Sequence, residues 1–497
     1  MSWLVTRKVW ISIGSCILFA AIALKSSYII LFKDLTQKRA PDLFRFPIYD
    51  TNKKLLAFSE KVKSIYMNPQ IIPDCMKEYI QREFKLNAIP KSSFLWLKRD
   101  AQEGLIEKFR ALNIPGIYIK NDWKRVYPFK DVLSNLIGFC DKNLDGKYGV
   151  EYALNKKLFK ENISLTIDLT IQKILAEILS KAIEQFEVEG ASGLVVDAQS
   201  GEILAMVSLP CPEKATDFLE YRFRNRNIDP VEVGSILKLH NVAMALETGL
   251  FNLDSMIDGR GPLRISKFEI NDFFGINDYM TLRESIWRSS NIASARVALQ
   301  VGADEQKRFF KKFGLLDSIE WLNGCFAQPN IPRAWRKTTT ATLAYGYGIG
   351  LSSLHVARSI LRILHGYDIE LKLYKDSSEK QLSRVISEKT SFLMRGVLED
   401  VIRFSKSKKL KNTGYELGGK TGTANICIRG KYLEGRNFVT MVCVFPAKLP
   451  KILLLMQMKD PKKSKLSTSR FTTAGNVLSD YMARGVKRIG AARLIRV

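Results

Sequence analysis

Two pairs of apolar strand-like runs lie far apart in this 497-residue chain, and they constrain its fold most. The first pair is Leu194-Val195-Val196-Asp197 and Ile203-Leu204-Ala205-Met206-Val207, separated by a turn at Gln199-Ser200-Gly201. Short apolar runs around a Ser-Gly turn read as a β-hairpin. The second pair is Phe438 to Phe445 and Ile452 to Met458. A helical pattern precedes the first pair: Ile171, Ile174, Leu175, Ile178, Leu179, Ile183 and Phe186 share one face. Asp168 or Thr170 is placed to cap this helix and Gly190 to end it. A second helix is expected from about Ala474 to Val486. The order is helix, hairpin, long helical middle, three strands, helix. It predicts an α+β domain whose N- and C-terminal portions share one antiparallel sheet flanked by helices.

A chain of this length calls for more than one core. Residues 33–165 are mixed, charged and weakly periodic, and read as an irregular α+β module ahead of the sheet domain at 166–486. Residues 487–497 form a basic C-terminal tail. At the other end, Val9 to Phe32 is an apolar stretch of 24 residues, long enough to cross a bilayer. Residues 1–8 precede it. Ala21-Ile22-Ala23 looks like a signal cleavage site, but the run resumes as Tyr28 to Phe32, which favours an uncleaved transmembrane helix. Basic residues flank both ends, so charge does not set its orientation.

The net charge is +27. It suits an anionic partner such as a membrane surface, an acidic polymer or nucleic acid, or simply a lysine-rich solvated surface. No aromatic-basic interleaving or zinc pattern supports nucleic-acid binding. The seven cysteines (Cys16, Cys75, Cys140, Cys211, Cys325, Cys427 and Cys443) include no C-x-x-C pair. They form neither a disulfide framework nor a metal pattern. With only His240, His355 and His365 available, a histidine triad is hard to build. No metal or cofactor is expected, and catalysis calls for another base.

Glu232-Val233-Gly234-Ser235-Ile236-Leu237-Lys238 is the sharpest stretch. An apolar helical pattern follows it. A helix beginning near Ser235 puts the hydroxyl at the positive end of the dipole and Lys238 on the same face. Serine needs a base to take its proton, and lysine serves only when neutral, as burial or a second cation makes it. Ser377 with Lys380 and Ser405 with Lys408 share the spacing but sit in polar, lysine-rich stretches. Two further segments single out Ser235. Ser289-Ser290-Asn291 offers a hydroxyl and an amide from one turn between helical stretches. Gly418-Gly419-Lys420-Thr421-Gly422-Thr423-Ala424 brings a lysine and two hydroxyls along a glycine-rich strand, where a substrate can approach the edge closely. The Thr423 and Ser235 N–H groups could form an oxyanion hole.

The three segments in this order resemble the class B penicillin-binding proteins. Arg224-Asn225-Arg226, Tyr345-Gly346-Tyr347-Gly348-Ile349-Gly350, Gly149-Val150-Glu151 and a degraded motif from Tyr49-Asp50 to Leu56-Ala57 extend the likeness over most of the chain. The resemblance implies a periplasmic D,D-transpeptidase domain of the penicillin-binding/β-lactamase-like fold. It stands on a non-catalytic pedestal of the dimerisation type (33–165) behind a single-pass inner-membrane anchor (9–32). It further implies that Ser235 attacks the penultimate D-alanine carbonyl of a stem peptide, that Lys238 is the base, that Ser289 and Asn291 relay protons and hold the substrate amide, and that Lys420 supports the relay. Thr421, Gly422 and Thr423 would line the site for the substrate carboxylate. Stem peptides as donor and amine acceptor would be the substrates, and β-lactams covalent inhibitors. The pattern is most similar to the division-specific (FtsI-type) branch, whose partners are a SEDS-family (FtsW-like) glycosyltransferase and other division proteins. A β-lactamase or β-lactam sensor on the same fold, and a silent division scaffold, are the other readings. Departures are Val233, Ile236 and Leu239, where relatives usually have proline, threonine and proline, and an arginine-glycine pair and a turn glycine that are missing from the motif around Asp50.

Overall fold

A computed structural model describes residues 44–211, 224–273, 275, 277–374, 382–462 and 473–494. The expected anchor at 9–32 and residues 495–497 of the expected 487–497 tail lie outside these. Among the described residues no helix is long and apolar enough to cross a membrane.

The described residues fall into two compact units. One contains Val62–Asp122; the other contains Phe46–Lys61 and everything from Trp123 onward. The expected division at 165 therefore runs through the second unit. In the first unit, residues 65–67 pair antiparallel with Leu95–Lys98. Ile65, Met67 and Leu97 pack with Ile80, Ile106 and Phe109 of the helices Asp74–Phe84 and Glu103–Leu112.

The second unit is organised by a five-stranded antiparallel sheet. Its strands in chain order are β1 (Gly190–Asp197), β2 (Ile203–Leu209), β3 (Gly418–Ile428), β4 (Lys431–Phe445) and β5 (Ile452–Lys459). Their spatial order is β3-β4-β5-β1-β2, so the two distant strand pairs meet where β5 pairs with β1. Side chains alternate between two cores, as strand geometry requires. Leu194, Val196, Leu453 and Leu455 face one, and Val195, Leu454 and Met456 the other. The second core is closed by α1 (Leu169–Phe186) and, at the chain's end, by the helix Ala474–Leu494. Burial on both faces explains why these strands read as unbroken apolar runs.

Helix α1 is capped by Asp168, one of the two expected candidates, which accepts from the N–H groups of Thr170 and Ile171. The helix ends differ from expectation. Helix α1 ends at Phe186 because Glu187 turns left-handed at φ 47°, not at Gly190. Gly190 is instead a strand residue pressed against Arg226, whose Nε would lie 2.2 Å from an added Cβ. The C-terminal helix runs past Val486 to Leu494, so the tail is helical over most of its length.

The segment that begins at Tyr49-Asp50 forms a tight turn. Asp50 is buried and accepts from the backbone N–H groups of Asn52, Lys54 and Leu169. Lys53 takes the left-handed turn at φ 64°, where a glycine would be unstrained. Glu151 pairs with Arg125 at 2.8 Å, both buried.

Candidate active site

Ser235 lies in a 3-10 turn, Gly234–Leu237, that leads into α2 (Lys238–Glu247). The turn is pinned against β3. Gly234 has φ 56°, and a Cβ there would stand 2.5 Å from the Thr423 carbonyl oxygen. A Cβ on Gly422 would stand 2.0 Å from the Val233 carbonyl oxygen. These two glycines permit the close fit of the serine turn to strand β3. β3 is an edge strand of the sheet. Val233, Ile236 and Leu239 are buried in the large core, so the departures from the family pattern change packing behind the serine.

The helices α3 (Leu282–Trp287) and α4 (Asn291–Val301) are joined by the tight turn that carries Ser289. Ser289 is left-handed at φ 58°, an uncommon state for a residue with a Cβ. Its hydroxyl is the hub of the site. It lies 3.1 Å from Ser235 Oγ, 3.2 Å from Lys238 Nζ and 3.1 Å from Lys420 Nζ. Lys238 Nζ also donates to the Ser289 carbonyl at 2.5 Å and to Asn291 Oδ1 at 2.8 Å. Lys420 Nζ donates to the Thr421 carbonyl at 2.9 Å. Ser235, Lys238, Ser289, Asn291 and Lys420 are thus brought together from three separate segments.

Both lysines are buried. Burial, then the neighbouring Lys420 charge, holds Lys238 well below the ordinary lysine range, while Asp272 opposes the shift. Burial lowers Lys420 to about 7. The partners of Lys238 suit a neutral amine. Its two hydrogens have two acceptor-only partners, the Ser289 carbonyl and Asn291 Oδ1, which leaves the lone pair for a hydroxyl. Such an arrangement can accept a proton passed from Ser235 through Ser289.

Thr421 and Thr423 are half-buried on β3. The Thr423 hydroxyl accepts from the Ala474 N–H at 2.9 Å, which leaves its hydrogen available to a substrate carboxylate. The Asn291 amide is partly engaged: its Nδ2 donates to the Asn271 carbonyl at 3.0 Å. His240 is buried edge-on to Phe313, and burial lowers it to about 3, so it remains an uncharged packing residue.

Two features escape sequence reading. Glu232 Oε1 accepts from the Gly348 N–H at 2.7 Å and from the Tyr432 hydroxyl at 3.0 Å. It so fastens the serine turn to the Tyr345–Gly350 segment and to the β3–β4 hairpin. Tyr347 packs edge-on to Tyr432 and accepts from the Asn425 N–H. Burial raises the Glu232 carboxyl above its usual range. The second feature is Asp272. It accepts from Ser290 Oγ at 2.6 Å and from the N–H groups of Asn291 and Ile292. The signal in the sequence was faint in both cases, because the partners are remote and carry no motif spacing.

The family description "Penicillin binding protein transpeptidase domain" matches residues 191–483, and "Penicillin-binding Protein dimerisation domain" matches residues 45–159. The chain is 28% identical over 478 residues to the probable peptidoglycan D,D-transpeptidase FtsI of Caulobacter vibrioides, covering 90% of this chain and 80% of that one. It is 25% identical over 472 residues to the probable peptidoglycan D,D-transpeptidase PenA of Neisseria gonorrhoeae (84% and 80%). It is 26% identical over 472 residues to the peptidoglycan D,D-transpeptidase FtsI of Escherichia coli K12 (84% and 79%).

Proposed function

The chain belongs to the penicillin-binding protein transpeptidase family, in its class B, FtsI-like form, and from that premise we propose how its residues divide the reaction. It is a serine-type peptidoglycan D,D-transpeptidase that takes stem peptides as substrate and is acylated by β-lactams.

Ser235 is the nucleophile. Its Oγ attacks the penultimate D-alanine carbonyl, and its proton passes through the Ser289 hydroxyl to the Lys238 lone pair. Charge develops on the carbonyl oxygen, which the Ser235 and Thr423 N–H groups stabilise. Collapse expels D-alanine, whose amine takes a proton back along the same path. The acceptor amine then attacks the acyl-enzyme carbonyl and loses a proton to the relay, the ester bond to Ser235 breaks, and the relay returns that proton to Ser235 Oγ. Lys420 supports the relay through the Ser289 hydroxyl, the hydroxyls of Thr421 and Thr423 hold the terminal carboxylate, and Asn291 keeps Lys238 aimed. The observation that carries this reading is the Ser289 hydroxyl, within 3.2 Å of Ser235, Lys238 and Lys420.

The finer placement follows the same relatives. The Val9–Phe32 run anchors the chain in the plasma membrane with the catalytic unit outside, residues 33–165 serve as pedestal, and the enzyme works in septal wall synthesis beside an FtsW-like glycosyltransferase. Support comes from the length of the apolar run and from the FtsI relatives.

Labelling with a fluorescent penicillin, wild type beside Ser235→Ala, tests the reading. A covalent band in the wild type that vanishes in the variant is the expected result, and its slow decay separates a transpeptidase from a β-lactamase. A folded wild type without a band would overturn the assignment in favour of a silent scaffold.

A further inference from the structure

Asp272 stands in the connection between the short strands Phe268–Ile270 and Tyr279–Thr281, away from all three motifs. Its carboxylate nevertheless closes the N-terminus of α4. Oδ1 accepts from the Asn291 and Ile292 N–H groups, and Oδ2 accepts from Ser290 Oγ at 2.6 Å. The preceding carbonyl, of Asn271, accepts from Asn291 Nδ2 at 3.0 Å. Asn291 is therefore gripped from this connection by its backbone and its side chain, while its Oδ1 receives Lys238. A carboxylate at a helix N-terminus is favourable in itself. Here it also lies beside a site that buries two lysines.

We propose that Asp272 is a positioning residue of this site, a carboxylate that fixes the Ser289–Asn291 turn against Lys238 and offsets the positive charge of that buried lysine. The inference rests on the reading of Lys238 as the base. Two functions are combined in one group. As a hydrogen-bond acceptor it holds the turn. As a charge it raises the pH at which Lys238 becomes neutral, against the larger opposite effects of burial and Lys420.

The charged groups acting on Lys238 are Lys420 from β3, which pushes its proton off, and Asp272, which retains it. His240, two residues on along α2, is kept uncharged by burial against Phe313. Ser235, Ser289 and Asn291 carry no charge. Removing the Asp272 charge therefore makes Lys238 lose its proton more easily, and the acid limb of acylation moves to lower pH. A unit charge near a buried group moves a titration by about 1 unit or more.

The experiment is the pH profile of penicillin acylation by the full chain, for wild type, Asp272→Asn and Asp272→Glu. Asparagine keeps an oxygen for the two N–H groups and can donate to Ser290 Oγ, so it removes charge with little loss of shape. Its limb is expected about 1 pH unit lower than that of wild type. Glutamate keeps the charge but misplaces it, so its plateau rate falls about tenfold while the limb stays in place. An Asp272→Asn limb at the wild-type position overturns the proposal, as does a glutamate limb shifted as far as that of asparagine. If the asparagine variant does not fold, the glutamate variant decides: a limb about 1 pH unit below that of wild type, or a plateau rate equal to that of wild type, overturns the proposal. Absence of acylation in the wild type would instead defeat the transpeptidase reading itself.

Discussion

Replacing Ser289 by alanine separates the chemistry of this site from its architecture. The hydroxyl is 3.1 Å from Ser235 Oγ and 3.2 Å from Lys238 Nζ, and it bridges the two. Its removal leaves Lys238 with the Ser289 carbonyl and Asn291 Oδ1, and Lys420 with the Thr421 carbonyl. The lysines therefore stay in place while the proton path is cut. A positioned acid–base group contributes about 10²–10⁴-fold. At about 1.4 kcal/mol per tenfold, the acylation barrier should rise by roughly 3–5 kcal/mol. Stability should change by only about 1 kcal/mol, the net worth of a typical hydrogen bond. Ser289→Gly provides the internal control. It also lacks the hydroxyl, but Ser289 sits at φ 58°, where a Cβ is strained by roughly 1–2 kcal/mol. Glycine recovers that strain and loses about 0.5–1 kcal/mol of it to chain entropy. The glycine variant should thus match alanine in acylation rate and equal or exceed it in stability. Rates are read from fluorescent penicillin labelling against time, and stability from urea unfolding. An alanine variant within about threefold of wild type would refute the relay through Ser289. So would a glycine variant that recovers the wild-type rate, since only conformation would then be at stake.

Two further outcomes follow from buried charge. Lys420 titrates at about 7 in the folded chain but near the ordinary lysine value of 10.5 when unfolded. Between these values the unfolded chain binds more protons, so this lysine makes stability rise with pH across that window. The urea midpoint of wild type relative to Lys420→Met should increase from pH 7.5 to 9.5, and a flat difference would remove the claim. In the second unit, Glu151→Gln leaves the buried Arg125 guanidinium facing a neutral amide. It should lower unfolding free energy by about 3–5 kcal/mol in urea titration, and a loss below about 1 kcal/mol would show that the pair is not stabilising the fold.

The legible parts of the fold and site are those written as local pattern. β1, β2, β4 and β5 were readable because each is a continuous apolar run bounded by turn residues, and burial on both sheet faces makes such runs conspicuous. Ser235, Lys238, Ser289, Asn291 and Lys420 were readable as a set because each sits in a segment with its own turn or strand signal. What was not legible depends on groups that meet only after folding. Asp272 acts on a turn nearly twenty residues ahead, and Glu232 on Gly348 and Tyr432, with no spacing rule to announce either contact. The glycines around Lys420 were visible, but the contact of Gly422 with the serine turn was not. A strand edge open to substrate and a strand pressed on the serine turn demand the same small residue. Helix ends were uncertain for a related reason: Glu187 adopts a left-handed stop that glycine would ordinarily supply, and tertiary packing of α1 overrides the local preference.

The pairing of β1 with β5 has a consequence for how the chain is made. Leu194 lies opposite Leu455, and Val196 opposite Leu453. During synthesis at roughly 5–20 residues per second, β1 waits about 13–50 s for its neighbour to be translated. Throughout that interval an apolar hairpin presents an unpaired edge, a template for pairing with other nascent chains. The sheet cannot close from either end alone, and nucleation requires a contact of high sequence separation, which slows folding. Biogenesis of this protein is thereby a race between the arrival of residues 452–459 and aggregation through residues 190–197, and a chaperone that shields that hairpin would raise its yield more than any gain in final stability.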